Sequence, residues 1–399
     1  MLYAAILFAS ILLVAIVAVP VLVFAAECLS GSLPSRSVPT AQIAIRPCVA
    51  VLVPAHNESA GLAESLRNIR GEMRHGDRLI VVADNCTDNT AEIARGEGAE
   101  VVERHDLAQR GKGYALDAGV QYLRQAPAKI VIVIDADCRI GPGTLDHLAT
   151  AVVARKRPAQ ALNLQIAPPN SALNLAVAEF AFLVKNRVRP LGLSRLGLPC
   201  LMTGTGMALP WSLLDDASLA SGHQVEDMKF ALNLAQLGHA PCFCEEALVT
   251  SFFPHSREGA ETQRRRWEGG HLSMICFAIR DLLRPSSWAN LGYLALLFDI
   301  LVPPLTLLCV ATFFMVVFAG VAALAIGAAL PLTLALLVAM LLVGAAAIAW
   351  AAHGRTVLPL RSLAQVPLYA ASKARLYPKL ASASDAWVRT DRTGPDRAS

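Results

Sequence analysis

Charge is what this chain has little of. Only 17% of its 399 residues are Asp, Glu, Lys or Arg, against 55% hydrophobic, which is poorer in charge than an ordinary soluble domain. The shortage is concentrated in two places. Met1 to Ala26 carries no charged side chain, and neither does Ile300 to Ala352. The second run is long enough for two spanning helices of about 20 residues joined by a turn around Gly320 to Pro331. Three transmembrane helices are therefore expected, one N-terminal and two C-terminal. The first run lacks a basic leader and exceeds the roughly 7–15 apolar residues of a cleaved signal peptide, so it reads as a retained anchor.

Paired cysteines are missing too. The nine present are scattered, and most fall in a segment assigned below to the reducing cytosol, where a disulfide framework is not expected. Cys242 and Cys244 have no partner pair at zinc-site spacing, so they read as small buried apolar residues. The net charge of +4 is small for the length, and much of the basic excess lies at Arg36, Arg46, Arg355, Arg361, Lys373, Arg375 and Lys379, beside the apolar runs. Attraction to anionic membrane lipids accounts for it. No base-reading module appears, and nucleic acid is not an expected partner. The turn between the second and third helices has no basic residue, so the positive-inside rule places the middle of the chain and its C-terminus in the cytoplasm. The expected location is the cell's inner or plasma membrane.

Between the apolar runs, short β-rich segments alternate with amphipathic helical ones, the pattern of an α/β domain with a mostly parallel sheet. Strands are expected at Cys48 to Ala55, Arg78 to Asn85, "AEVVERH" and Lys129 to Cys138, and their near-continuous Val/Ile runs suit buried parallel strands. The segment "TDNTAEIARGEG" reads as a helix entered through Thr and Asp caps. Ligands of such sheets bind beyond the carboxyl ends of the strands. Those ends carry His56, Asn57 and Glu58, then Asp84, Asn85 and Asp88, then Asp135 and Asp137. One such case is ordinary capping, whereas three together suggest a site. Asp135 and Asp137, two apart where a strand runs out, can both reach one hard divalent cation, Mg²⁺ or Mn²⁺, and the phosphate it carries.

In motif order the chain resembles the family 2 glycosyltransferases of GT-A fold, in particular the membrane-embedded branch of cellulose, chitin and hyaluronan synthases and ceramide glucosyltransferases. The resemblance covers about Cys48 to His271. "VLVPAHNE" is similar to the first strand and its nucleotide-facing loop, with Pro54, His56 and Glu58. "ADNCTDNT" resembles the acidic loop that contacts base and ribose, with Asp84 and Asp88 matching, although its sequence departs from the commoner DDxSxD. "RGKGYALDAG" places Lys112 near the donor, and "DAD" resembles the metal and diphosphate motif. "TGTGMAL" (Thr203, Gly204, Thr205) resembles the loop near the acceptor, and "VEDMKF" the Glu-Asp pair Glu226 and Asp227, with Val225 where many relatives have Thr. Gln263, Arg266 and Trp267 complete a Q-x-x-R-W pattern.

The resemblance implies a UDP-sugar donor, a lipid-linked or glycan acceptor, and inversion by direct displacement. Sugar transfer needs the diphosphate's charge neutralised, a task for a metal near Asp137 and for an arginine of the 264–266 run, whose forked donors suit a diphosphate. It also needs a base for the acceptor hydroxyl. Asp227 is the expected base and Glu226 its competitor; both acids would also suit a helix N-terminus. Trp267 offers a sugar ring a flat face, or sits as an interfacial belt residue. A processive polysaccharide synthase with assembly partners is the alternative reading, and a non-catalytic scaffold or nucleotide sensor a third. Ser171 to Leu198 reads either as an amphipathic helix on the bilayer or as a core helix. Asp299 is expected at a hydrated interface, with Pro303 and Pro304 breaking the helix after it. The expected organisation is 1–26 helix, 27–46 linker, 47–283 catalytic domain, 284–299 membrane-interface segment, 300–352 two helices and 353–399 basic tail.

Overall fold

A computed structural model describes residues 1–34, 46–167, 173–214, 219–220, 225–254 and 257–363. The expected basic tail beyond residue 363, most of the linker, and the side chain of Arg264 lie outside these residues. The chain forms two compact units. One takes its described residues from Arg36–Pro168 and Pro199–Trp267, the other from Met1–Ser35, Pro169–Leu198 and Glu268–Ala383.

The first unit is built on an eight-stranded sheet: β1 (Val49–Ala55), β2 (Arg78–Asp84), β3 (Glu100–Arg104), β4 (Ile130–Val133), β5 (Arg139–Ile140), β6 (Ala159–Ile166), β7 (Met207–Pro210) and β8 (Cys242–Phe252). Their order is β3-β2-β1-β4-β7-β6-β8-β5. Strands β3, β2, β1 and β4 run parallel, as do β6 and β8, while β7 is antiparallel to both its neighbours. Alternate residues of β1 serve opposite faces, as the period of two requires. Val49, Val51 and Val53 pack with Leu62, Leu66 and Ile69 of the helix Leu62–Glu72. Ala50 and Leu52 face Leu116, Val120 and Leu123 of the helix Lys112–Leu123. Each such fully buried Val, Leu or Ile side chain contributes about 1.5–3 kcal/mol.

The fourth strand is shorter than its Val/Ile run, and this matters for the site. Strand pairing stops at Val133, and the Cys138 amide donates to the Asp135 carbonyl at 3.0 Å. The turn this closes lifts Asp135 and Asp137 out of the sheet. The four strands β5 to β8, absent from the sequence reading, complete the sheet beyond β4.

Among the described residues of the second unit, three helices are long and apolar enough to cross a membrane: Leu2–Ser32, Leu305–Ile326 and Leu330–Gly354. A shorter apolar helix, Leu291–Ile300, stops before Pro303 and Pro304, and Pro304 becomes the N-cap of the next. Asp299 does not occupy the hydrated position expected of it. It is 7% exposed and paired with Arg189, which also binds Glu27. A carboxylate in apolar surroundings needs such a counter-charge, and Arg189 sits 110 residues away along the chain.

Candidate active site

The turns after β1, β2 and β4 converge on a cleft of about 380 Å³, within the usual size of small-molecule sites. Its walls include Pro54, His56 and Glu58 after β1, Asp84 at the end of β2, Lys112, Asp135 and Asp137, and Arg266 from the helix Arg257–Leu282. Asn57, Asn85, Thr87 and Arg110 line it as well. Two of these mark the strand ends. Asn57 and Asn85 adopt left-handed backbone angles, φ 54° and 52°, which Asn tolerates better than most residues.

Hydrogen bonds join the loops. His56 Nδ1 lies 2.6 Å from the Asp84 carbonyl, and the Thr87 amide donates to Asn57 Oδ1 at 2.7 Å. Asp84 is 6% exposed, and its Oδ1 accepts from Arg104 at 2.7 Å and from Asn85 Nδ2 at 3.0 Å. Asp88 behaves differently. It is not among the residues lining the cleft; its carboxylate accepts from Thr90 N at 3.1 Å and from Ser59 N at 3.2 Å. The N-cap of the helix Thr90–Gly96 is Asn89 rather than the Asp expected there, and burial alone would raise the Asp88 pKa, but its hydrogen bonds from Thr90 and Ser59 hold it below the ordinary carboxylate value.

At the other end of the cleft, Lys112 Nζ donates to Asp135 and to the Gly204 carbonyl, the latter at 2.7 Å. Burial alone would lower its pKa, but Asp135, Glu226 and Asp227 reverse this and hold it above the ordinary lysine value. Gly204, at φ +84°, has no side chain where a Cβ would stand 3.3 Å from both Asp227 Oδ2 and Lys112 Nζ. Only glycine reaches this conformation freely. Glu226 and Asp227, in the first turn of the helix Glu226–Gln236, line a second cavity of about 170 Å³ with Gly113, Leu116 and Phe230. Burial, then the neighbouring Asp227, push Glu226 up to about 7, with Lys112 opposing. Asp135, Lys112, Gly204 and Asp227 therefore form one continuous wall.

The remaining expected residues take supporting positions. Thr205 Oγ1 accepts the Asp135 amide at 3.1 Å, and Thr203 Oγ1 accepts from Asn163 at 3.2 Å. Gln263 is buried and accepts from Gln165 at 3.3 Å. Trp267, beside Arg266, is half-buried and is not among the residues lining the cleft. Potential ligand atoms of Asp135, Asp137 and Cys138 lie within 4.8 Å of one another. Cys138 is buried, and that burial pushes its thiol up to about 12, so the hard donors are the two carboxylates, a set that suits Mg²⁺ or Mn²⁺. The sequence reading passed over Arg110, although "QRGKG" sets it two residues before Lys112. It also passed over Asn163 and Gln165, which lie on a strand it did not identify.

The sheet order and the acid-lined cleft beyond its parallel strands define a GT-A type of fold. A mannosyltransferase of Pyrobaculum calidifontis, solved with GDP-mannose and Mn²⁺, shares it at TM-score 0.53 and 22% identity, over 94% of this chain and 99% of that one. Residues 46–270 match the family described as glycosyltransferase like family 2, and the chain belongs to that family. An uncharacterised glycosyltransferase of Mycobacterium bovis is 37% identical over 122 residues, 29% of this chain and 51% of that protein. A probable glycosyltransferase of Bacillus subtilis is 26% identical over 256 residues, 57% of this chain and 56% of that one. The chain spans about half the length of these curated relatives.

Proposed function

We propose that the protein is a membrane-anchored, inverting glycosyltransferase that moves a sugar from a nucleotide-sugar donor to a lipid or cell-surface glycan acceptor. The observation that carries this reading is the shared wall: Gly204 lies against both Asp227 and Lys112, and Lys112 holds Asp135. A donor diphosphate at Asp135 and Asp137 would therefore bring its sugar toward the carboxylate that takes the acceptor proton.

In this reading Asp84 contacts the nucleoside and Lys112 and Arg266 face the diphosphate. Asp137, with Asp135, would hold a divalent cation that neutralises the leaving diphosphate. Asp227 accepts the hydroxyl proton as the hydroxyl oxygen attacks the anomeric carbon and the bond to the diphosphate breaks, so an α-linked donor gives a β-linked product. Beside it, burial and the Asp227 charge push Glu226 up to about 7. The donor is a UDP-sugar by resemblance; the Pyrobaculum neighbour was solved with a GDP-sugar, so both nucleotides belong in the assay. The three long apolar helices suit an enzyme of the inner or plasma membrane, with its sheet unit in the cytoplasm and membrane lipid within reach.

The test is a screen of UDP- and GDP-sugars for metal-dependent nucleotide release, with and without lipid extract. Sugar transfer that needs a divalent metal supports the reading; no release from any donor sinks it. A processive polysaccharide synthase remains the second reading because Arg266, from the Q-x-x-R-W pattern, lines the donor cleft. Product length with radiolabelled donor separates the two.

A further inference from the structure

One buried side chain holds both ends of the loop that links the donor residues to the candidate base. Gln160, on β6 opposite Met207 of β7, is 2% exposed. Its Oε1 accepts the Thr203 amide at 3.0 Å, and its Nε2 donates to the Thr205 carbonyl at 2.8 Å and to the Ala161 carbonyl at 2.9 Å. Both amide hydrogens and the carbonyl oxygen are thus engaged, and a single orientation of the amide satisfies all three partners.

Backbone pairing cannot do this work. The main chain is stitched into the sheet at Gly206, whose amide donates to Val133 O and whose carbonyl accepts from Ala161 N, each at 2.8 Å. Upstream the loop turns away through Gly204. There the Gln160 amide acts as a replacement peptide unit, supplying the acceptor and the donor that a neighbouring strand would have offered.

Three groups depend on the loop it holds. The Gly204 carbonyl receives Lys112, Thr205 Oγ1 receives the Asp135 amide, and Gly204 lies against Asp227. We infer that Gln160 is a positioning residue for the transfer: it sets the Thr203–Gly206 loop so that Lys112, Asp135 and Asp227 share one wall. Glutamine alone among side chains of its size offers this combination. Glutamate would turn an oxygen toward two carbonyls, and methionine would leave the Thr203 amide and the Thr205 carbonyl buried without partners. The inference rests on the transfer reading for the roles of Asp135 and Asp227, but the geometry it invokes has a separate readout.

Gln160→Met and Gln160→Glu should be compared with wild type in the detergent-solubilised full chain, with Gln121→Ala on an exposed helix position as control. Mn²⁺ binding is read by electron paramagnetic resonance, and kcat and donor KM are measured well below the melting transition. Losing a group that orients metal-binding residues lowers metal affinity or activity about 10- to 100-fold. That loss is expected in folded Gln160→Met, with kcat falling by more than donor KM rises, while Gln121→Ala matches wild type. Should Gln160→Met not accumulate in folded form, Gln160→Glu gives the same readouts with the side-chain shape retained. Wild-type Mn²⁺ affinity and kcat in a folded Gln160 variant, with only a lower melting temperature, would overturn the inference and leave the transfer reading intact. Conversely, a wild type that transfers no sugar, but whose Mn²⁺ affinity still falls on Gln160→Met, would remove the transfer reading and keep the positioning role. A wild type that binds no Mn²⁺ would overturn both.

Discussion

Two groups of acids in this molecule each close on a basic side chain and differ in how far they are open to solvent: the Asp135 side chain is 33% exposed, those of Glu27 and Asp299 2% and 10%. In the sheet unit, Asp84, Asp135, Asp137, Glu226 and Asp227 come from three segments and end on the walls of two cavities, with Lys112 between them. In the helical unit, Glu27 and Asp299 close on Arg189, and all three are buried away from solvent. Ion pairing therefore does not mark a site by itself. An acid that keeps one side toward open space can meet a substrate, whereas an acid sealed by a guanidinium holds helices together.

The largest effect should come from Asp227→Asn. Removal of a general base lowers rates about 10²- to 10⁴-fold, so kcat should fall in that range while the melting temperature stays near wild type. Unchanged sugar transfer would take the base assignment away. Arg189→Met should invert that outcome. Breaking one partner of a buried ion group costs about 3–5 kcal/mol, read as a lower melting temperature and less folded protein in detergent, with kcat unchanged in what remains folded. A selective loss of kcat without a melting shift would blur the contrast between the two acid groups.

Glu226→Gln probes the pair through pH. Glu226 is raised from its ordinary value of 4.5 to about 7, so the folded protein holds its proton more tightly than the unfolded chain does. The stability this contributes is complete below the unfolded value and is lost as pH rises through about 7. Glu226→Gln, neutral throughout, should therefore melt a few degrees above wild type at pH 8 and match it near pH 4. Its pH–rate profile should also lose the inflection near neutrality, and a profile identical to wild type would exclude Glu226 from the pair. The smallest effect is expected from Asp88→Ala. Removing its carboxylate loses the hydrogen bonds from Thr90 N and Ser59 N, each worth roughly 1 kcal/mol net, so a lower melting temperature with an unchanged donor KM is expected. A rise in KM would instead bring Asp88 to the nucleotide.

Much of the donor side was legible along the chain because its signals are local. Continuous Val/Ile runs mark parallel strands, an acid where such a run stops marks the ligand edge, and the "DAD" turn carries both potential metal ligands within three residues. The uncharged runs were equally legible, since length and hydropathy alone decide whether a helix can span a bilayer. Asp299 was misread because local sequence shows an acid near a helix end and does not show Arg189. Gln160 escaped notice for the same reason: a glutamine in an alternating segment carries no mark until the loop 43 residues later folds onto it.

The order of the motifs, the apolar helices and the chemical kind of each candidate residue were determined by sequence alone, because they depend on residue type and near-neighbour spacing. Which acids share a wall, which one ties two loops together and which are sealed against an arginine were decided only by the tertiary structure. Those outcomes depend on distances between segments far apart in the chain, and on the desolvation and pairing that arise only once the segments pack.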